Sequence, residues 1–284
     1  MSSSVKKVNS KEQSLTIARR MFWVATVGVV VALIGVVSGW IQQDANAKKF
    51  GNRLLAVESS LRVLTQTVAP QIYQSINDSL SAAAVALNRT DAVKDLQTAT
   101  AGINQLSVAN VPPDANQLKR TGEILKRVTT ANSQTPEAWT AAVQFVNYKY
   151  HSTPAGSLPN CIFQPTGTRS GMKVDNRWMV SFPYSNCTLS LDDEQYAKSI
   201  LADQLDTFKT QHPNEPFSLV LLLNNVEVTY HGGMLIPVTR LEFTNTTFRF
   251  NVPGTVPEPS TQMLTAQLLT EGVSGGAVQV QSGM

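Results

Sequence analysis

The sequence predicts an α+β protein carried on a single transmembrane helix. An extracytoplasmic helical bundle or stalk comes first, and a small β-rich domain follows as a short β-solenoid or a meander. Three observations predict this. An uncharged run of 21 residues, Met21 to Ile41, lies near the N-terminus. Apolar residues then recur at helical spacing as far as Tyr150. After His151, β-branched and aromatic residues gather in short alternating runs. Only 15% of the 284 residues are charged, against roughly 25% in ordinary soluble domains. Neither a collagen-like, a disulfide-dense nor a wholly disordered chain has this composition.

Residues 1–20 form the expected cytoplasmic tail and 21–41 the transmembrane helix. At about 1.5 Å per residue the run spans ~32 Å, enough for the hydrocarbon core. Trp23 and Trp40 lie near its ends, where indoles favour the membrane interface. The tail carries Lys6, Lys7, Lys11, Arg19 and Arg20 against Glu12, whereas the rest holds 18 basic and 19 acidic residues. Basic flanks stay in the cytoplasm, so the N-terminus is expected inside and the bulk outside, in the periplasm of a bacterium. Ala45-Asn46-Ala47 has the form of a signal-peptidase site, but the long apolar run favours a retained anchor. Ala25, Gly28, Ala32, Gly35 and Gly39 make one face of small residues, the kind that lets two membrane helices approach and self-associate.

Residues 48–150 are the helical segment. Leu54, Val57, Leu61, Leu64 and Val68 step by three and four, and Ile72, Ile76, Leu80, Ala83 and Leu87 continue the stripe past a kink at Pro70. A break near residues 88–91 precedes Val93, Leu96, Ala99, Ile103 and Leu106, and Val111-Pro112-Pro113 ends that helix. Asp114 caps a helix carrying Leu118, Leu125 and Val128. Thr135-Pro136-Glu137 starts another, with a capping hydroxyl, a proline in the first turn and an acid suited to the dipole, and Trp139, Val143, Val146 and Tyr150 share a face. The stripe serves either as a docking surface or as an ordinary core, and the core is the commoner use.

A linker over 152–159 leads to the β-rich domain, 158–252. Strands are expected at Trp178 to Tyr184, Cys187 to Leu191, Phe217 to Leu223, Val226 to Tyr230, Leu241 to Phe243 and Thr247 to Val252, with a helix inserted over 192–211. Short strands with Asn and Gly at the corners suit stacked rungs slightly better than a meander. Cys161 and Cys187 are expected to pair as a disulfide, since there is neither a C-x-x-C nor a histidine cluster beside them. Residues 253–284 read as a mostly disordered tail after a short apolar-spaced stretch at Met263, Leu264, Leu268 and Leu269.

Catalytic signals are weak. His151, His212 and His231 lack metal-ligand spacing, and no cofactor or metal is expected. Gly272-Val273-Ser274-Gly275-Gly276 matches the nucleophile pattern G-x-S-x-G but lies in low-complexity surroundings. Asp192-Asp193-Glu194 reads as a helix start. Sequons occur at Asn77, Asn88, Asn186 and Asn245 and matter only in a eukaryotic secretory pathway. The near-neutral outer part gives no electrostatic case for nucleic acid. The expected function is a non-enzymatic interaction or structural module, with an extracytoplasmic ligand sensor or accessory subunit as the alternative. The expected partners are the lipid bilayer, a second copy through the transmembrane helix, and a membrane or envelope protein.

Overall fold

The computed structural model describes residues 68–112, 114–151, 158–161, 171–174, 177–192, 210, 215–232 and 238–280. The anchor, the tail before it and their named residues lie outside these, as does almost all of the inserted helix expected over 192–211. Among the described residues, no helix is long and apolar enough to cross a membrane. The described chain is α+β, with five helices, mixed sheets and no closed barrel.

Helix α1 covers 68–85 and buries Ala69, Tyr73, Ile76, Leu80 and Ala83, a stripe with steps of four and three. Leu87 does not extend the stripe: the helix stops at 85, and Leu87 is 102% exposed. Helix α2, Arg89–Val108, starts at Asn88, whose side chain accepts from the Asp91 N–H at 2.9 Å. It buries Ala92, Leu96, Ala99, Ile103 and Leu106, so Ala92 takes the place expected for Val93. Gly102 lets α1 and α2 approach closely, since a Cβ there would lie 2.6 Å from Ile76 Cγ1.

Helix α3, Ala115–Ala131, has the expected Asp114 cap, accepting from the Gln117 N–H at 2.9 Å. Helix α4, Pro136–Lys149, starts with proline in its first turn, but the Thr135 hydroxyl makes no capping bond. Trp139, Val143, Val146 and the following Tyr150 are buried as expected, and so are Ala138, Ala141, Ala142, Phe145, Tyr148 and Lys149. A helix buried on so many sides is a central one. Helices α2 and α3 pack on α4, and α4 in turn packs on the sheet structure and on the last helix. Residues Gln66–Met284 accordingly form one compact unit around one hydrophobic core. The described helices are part of that unit and do not form a separate stalk.

The strands are β1 (Gly171–Val174), β2 (Arg177–Ser185), β3 (Thr188–Ser190), β4 (Phe217–Asn224), β5 (Glu227–Tyr230), β6 (Arg240–Thr244), β7 (Thr247–Phe250) and β8 (Gly275–Gln279). They form a five-stranded sheet in the order β1-β2-β4-β6-β8 and a three-stranded sheet in the order β3-β5-β7. The pairs β2/β4, β4/β6, β3/β5 and β5/β7 are all parallel. Three strand–corner–strand units therefore stack in register, each crossing from the large sheet to the small one. This excludes the meander, whose neighbouring strands would all run antiparallel. Antiparallel pairing appears only at the margins of the large sheet, as β1/β2 and β6/β8.

Asparagine makes each corner. Asn186, Asn225 and Asn245 have φ of 56°, 54° and 48°, the left-handed region that asparagine tolerates better than other side-chain-bearing residues. Equivalent positions then stack. Phe182, Leu221 and Leu241 form one buried ladder, Tyr184, Leu223 and Phe243 a second, and Leu189, Val228 and Phe248 a third. Tyr150, just past α4, caps this core with its ring 5.8 Å from Phe243 and 5.0 Å from Phe248.

The exposed margins of the stack are closed by three devices. Asn147 of α4 imitates a neighbouring strand: its amide accepts from the Phe250 N–H at 2.8 Å and donates to the Phe250 carbonyl at 2.7 Å. Strand β8 covers β6. On β3, Thr188 accepts from the Cys161 N–H and donates to the Pro159 carbonyl, both at 2.8 Å. The Cys161–Cys187 disulfide fixes that segment, with Cα atoms 4.8 Å apart.

The expectation of a mostly disordered tail over 253–284 is corrected. Helix α5, Pro259–Leu268, buries Leu264 and Leu268, and β8 buries Val278. The Gly/Ser/Gln composition concealed a strand whose order comes from pairing with β6 rather than from its own propensity.

Candidate functional site

Three polar clusters among the described residues bring together chemically capable groups distant in sequence. The first contains the residue types of a hydrolase. Ser190 ends β3, Asp192 follows it, and His231 follows β5 one rung along. The Ser190 hydroxyl donates to Asp192 Oδ1. The His231 backbone N–H donates to Asp192 Oδ2 at 2.9 Å, and His231 Nδ1 lies 3.5 Å from the same oxygen. The Asn251 amide donates to the His231 carbonyl at 3.4 Å from the third rung. Burial pushes the Asp192 carboxyl up, but the bonds from Ser190 and the His231 N–H, with the His231 ring beside them, hold it below the usual carboxylate range.

The connectivity decides what this cluster can do. A serine nucleophile needs a histidine to accept its proton, with the acid behind the histidine. Here the carboxylate lies between the two, so the serine proton points at the acid and the imidazole is 64% exposed to solvent. The arrangement ties the ends of β3 and β5 together and does not activate Ser190. Asp192 accepts from the neighbouring rung through the His231 N–H, and the helix expected to start there lies outside the described residues.

The second cluster surrounds Lys149, which is 2% exposed. Its ammonium donates to the carbonyls of Leu268, Leu269 and Glu271 at 2.9, 2.9 and 2.6 Å. These are the free carbonyls at the C-terminal end of α5, where a cation also meets the negative pole of the helix. The Tyr150 hydroxyl donates to Leu268 O at 3.0 Å, and the ammonium lies 5.1 Å from the Tyr150 ring centroid. Burial pushes the Lys149 ammonium down to about 8, opposed by Glu271, and burial pushes the Tyr150 hydroxyl above the usual tyrosine range. With all three donor positions in use, this lysine is a helix cap.

The third is a shallow, open groove between the C-terminal half of α3 and Thr270, lined by Glu123, Lys126, Arg127 and Thr130 among others. Its charged side chains face solvent.

The remaining expected residues fall as follows. Cys161 and Cys187 form the expected disulfide. Ser274 is exposed in a turn with α5 before it and β8 after it, the reverse of the strand-then-helix order a nucleophile elbow requires. Its carbonyl accepts from the Asn245 N–H at 3.0 Å and closes the last corner. His151 lies at the end of α4, as expected. His212, Asp193 and Glu194 lie outside the described residues, as do Lys6, Lys7, Lys11, Arg19, Arg20, Trp23, Trp40, Ala25, Gly28, Ala32, Gly35 and Gly39. Among the sequons, Asn77 is buried and accepts from the Thr121 hydroxyl at 2.9 Å, so it offers no acceptor nitrogen to solvent. Among the described residues, no group of three His, Cys, Asp or Glu could hold a metal ion.

Sequence reasoning missed Lys149, because a lysine in the last turn of a helix reads as an ordinary dipole partner of its own helix. It missed Asn147 for a similar reason, since a mid-helix asparagine gives no sign of its strand partner. Comparison with known protein families, curated proteins and solved structures finds no match for this chain.

Proposed function

We propose that this chain is a single-pass, membrane-anchored interaction or structural module that works outside the cytoplasm without catalysing a reaction. The observation that carries this reading is the Cys161–Cys187 disulfide, a bond that persists in oxidising compartments. It supports the orientation argued from charge, with the basic tail inside and residues 42–284 outside. In this reading the β-rich part is a short solenoid of three rungs, turned at Asn186, Asn225 and Asn245. Its side walls and the helices packed on it form a rigid body held at the bilayer. The polar clusters support a non-enzymatic role because Ser190, Asp192, His231 and Lys149 are each spent on holding elements together. The partners proposed are the bilayer itself, a second copy joined through the small-residue face of the anchor, and a membrane or envelope protein.

The test combines topology and capture. In intact cells or spheroplasts, a membrane-impermeant maleimide should label Cys161 and Cys187 only after reduction, while a reporter at the N-terminus stays protected. Cross-linking of the full-length chain in its membrane should then yield either a stoichiometric protein partner or a self-linked dimer that Gly35→Leu weakens. Labelling without reductant, or labelling that needs lysis, would sink the placement. A monomer with no cross-linked species would sink the interaction role.

A further inference from the structure

We propose that the exposed face of α3 docks on the phosphate-bearing headgroups of an anionic membrane. This rests on the reading that residues 21–41 hold the chain at a bilayer.

Helix α3 carries Lys119, Arg120, Lys126 and Arg127, all exposed, with Glu123 as its one acid. Positions seven apart share a helix face, so the four cations form two adjacent pairs about 10.5 Å apart along one side. The opposite side, with Leu118, Leu125 and Val128, is buried. This charge is segregated rather than typical of the outer chain. Residues 21–284 hold 18 basic and 19 acidic residues, of which α3 has four and one, leaving 14 and 18 elsewhere.

Two of the sheet arginines are paired with carboxylates, whereas Arg177 of β2 donates to the Ser218 hydroxyl at 3.4 Å. Arg240 lies 3.1 Å from Glu242 and Arg249 lies 3.0 Å from Glu227. None of the four α3 cations has a carboxylate at ion-pair distance among the described residues. Lys126 and Arg127 in addition line the open groove that reaches Thr270, a shallow seat for one phosphate. The patch is two cations wide with Glu123 between them, and α3 has no aromatic residue on which a base could stack. On a chain tethered to a bilayer whose extracytoplasmic leaflet carries anionic lipid, headgroups are the anions present at high effective concentration, and each cation near such a surface adds to the attraction.

The experiment uses the full-length protein in nanodiscs of zwitterionic lipid alone, or with one third phosphatidylglycerol. A fluorophore is placed at Thr130→Cys and a quencher on the lipid headgroups. Quenching is expected in the anionic discs, absent in the zwitterionic ones, and reversed by about 0.5 M salt. The variant K119E/R120E/K126E/R127E should lower the docked-to-free ratio roughly a hundredfold or more with an unchanged melting temperature. If that variant unfolds, K126Q/R127Q should lower the ratio about tenfold. Equal quenching in both discs, quenching in neither, or variants that dock like the parent overturns the proposal. Preferential retention of soluble polyphosphate or an acidic protein over anionic lipid also overturns it. If the chain does not enter the discs, the anchor reading fails by itself. The α3 surface is then judged by co-sedimentation with anionic vesicles, where absence of binding overturns it.

Discussion

Replacing Lys149 with methionine keeps the length of the side chain and removes its ammonium, so it measures what the carbonyl cage at the end of α5 contributes. Three charge-assisted hydrogen bonds disappear, each worth about 1.5–3 kcal/mol. One of the carbonyls keeps a partner, because the single Tyr150 hydroxyl proton reaches Leu268 O at 3.0 Å, with Glu271 O farther away at 3.4 Å. Leu269 O loses its lysine partner outright. Against this stands relief of burying the charge. Burial lowers the Lys149 ammonium from 10.5 to about 8 even with Glu271 opposing, a net cost of roughly 3 kcal/mol. The balance is a loss of about 3 kcal/mol, which lowers the melting temperature of a unit this size by about 6–12 °C. The assay is thermal unfolding of the full-length chain in detergent, followed by circular dichroism. The pH dependence gives a second check. The folded pKa is depressed, so between pH 8 and 10.5 the unfolded chain binds more protons and stability from this group rises with pH. The gap between parent and Lys149→Met therefore widens from pH 8 to 9.5. A melting temperature within about 1 °C of the parent would refute the cap. A gap that stays constant over that window would show that burial does not depress the folded ammonium.

Three further predictions concern the close approaches and corners that define the fold. Gly122→Ala should cost at least about 2 kcal/mol, because a Cβ there overlaps the Leu269 carbonyl oxygen; an unchanged urea midpoint contradicts the α3–α5 contact. Asn225→Ala should cost about 1–2 kcal/mol through its left-handed φ and the lost 2.6 Å bond to Asn186. Asn225→Gly should recover most of that loss, and equal losses in the two variants would refute the backbone account. Burial raises the Asp192 carboxyl, but the Ser190 and His231 bonds prevail and leave it below its ordinary value. Its stabilisation is therefore present above pH 4 and is lost as pH falls through the folded pKa. Asp192→Asn should flatten the acid limb of the stability curve below pH 4, and an unaltered limb would rule out this contribution.

Much of the helical half was legible because helix signals are local. The Asn88 and Asp114 caps, Pro136 in a first turn and the three-and-four stripes each act within two turns of themselves. The Thr135 cap failed because the same sequence signal does not oblige the hydroxyl to turn inward. All six strands named from short β-branched and aromatic runs exist, since strand propensity is partly local too. Strands β1 and β8 were missed, because an edge strand rich in glycine draws its order from a neighbour. The stacking itself left a trace that a period search would not detect. Phe182-Pro-Tyr-Ser-Asn-Cys-Thr-Leu-Ser-Leu191, Leu221-Leu-Leu-Asn-Asn-Val-Glu-Val-Thr-Tyr230 and Leu241-Glu-Phe-Thr-Asn-Thr-Thr-Phe-Arg-Phe250 share one pattern. Apolar residues alternate on both sides of an Asn corner in all three. The register repeats at 20 residues between β4 and β6 but at 39 between β2 and β4, so an insertion hid the repeat. The candidate clusters were less legible still, since Asp192 with His231 and Lys149 with α5 meet only through the stacking and the central helix.

The closure of the stack bears on what its surfaces are for. Parallel rungs with open edges are templates for further strands, and proteins that must stay discrete blunt them. Here Asn147 occupies the backbone of Phe250 on β7, β8 covers β6, and the segment ending at the disulfide-held Cys161 covers part of β3. Each device draws on a part of the chain outside the three rungs, which is why the helices and the C-terminal segment share one core with the sheets. Strand addition is thereby hindered on β7, on β6 and along part of β3, and the margins of the large sheet pass to β1 and β8. Within the sheets the cations Arg240 and Arg249 are already paired. The α3 cations are not, and they lie on a helix whose other side is fixed in the core. The four cations surround one acid on a face whose other side is fixed in the core; this is the face proposed to dock, and charge reversal there should move binding without moving the fold.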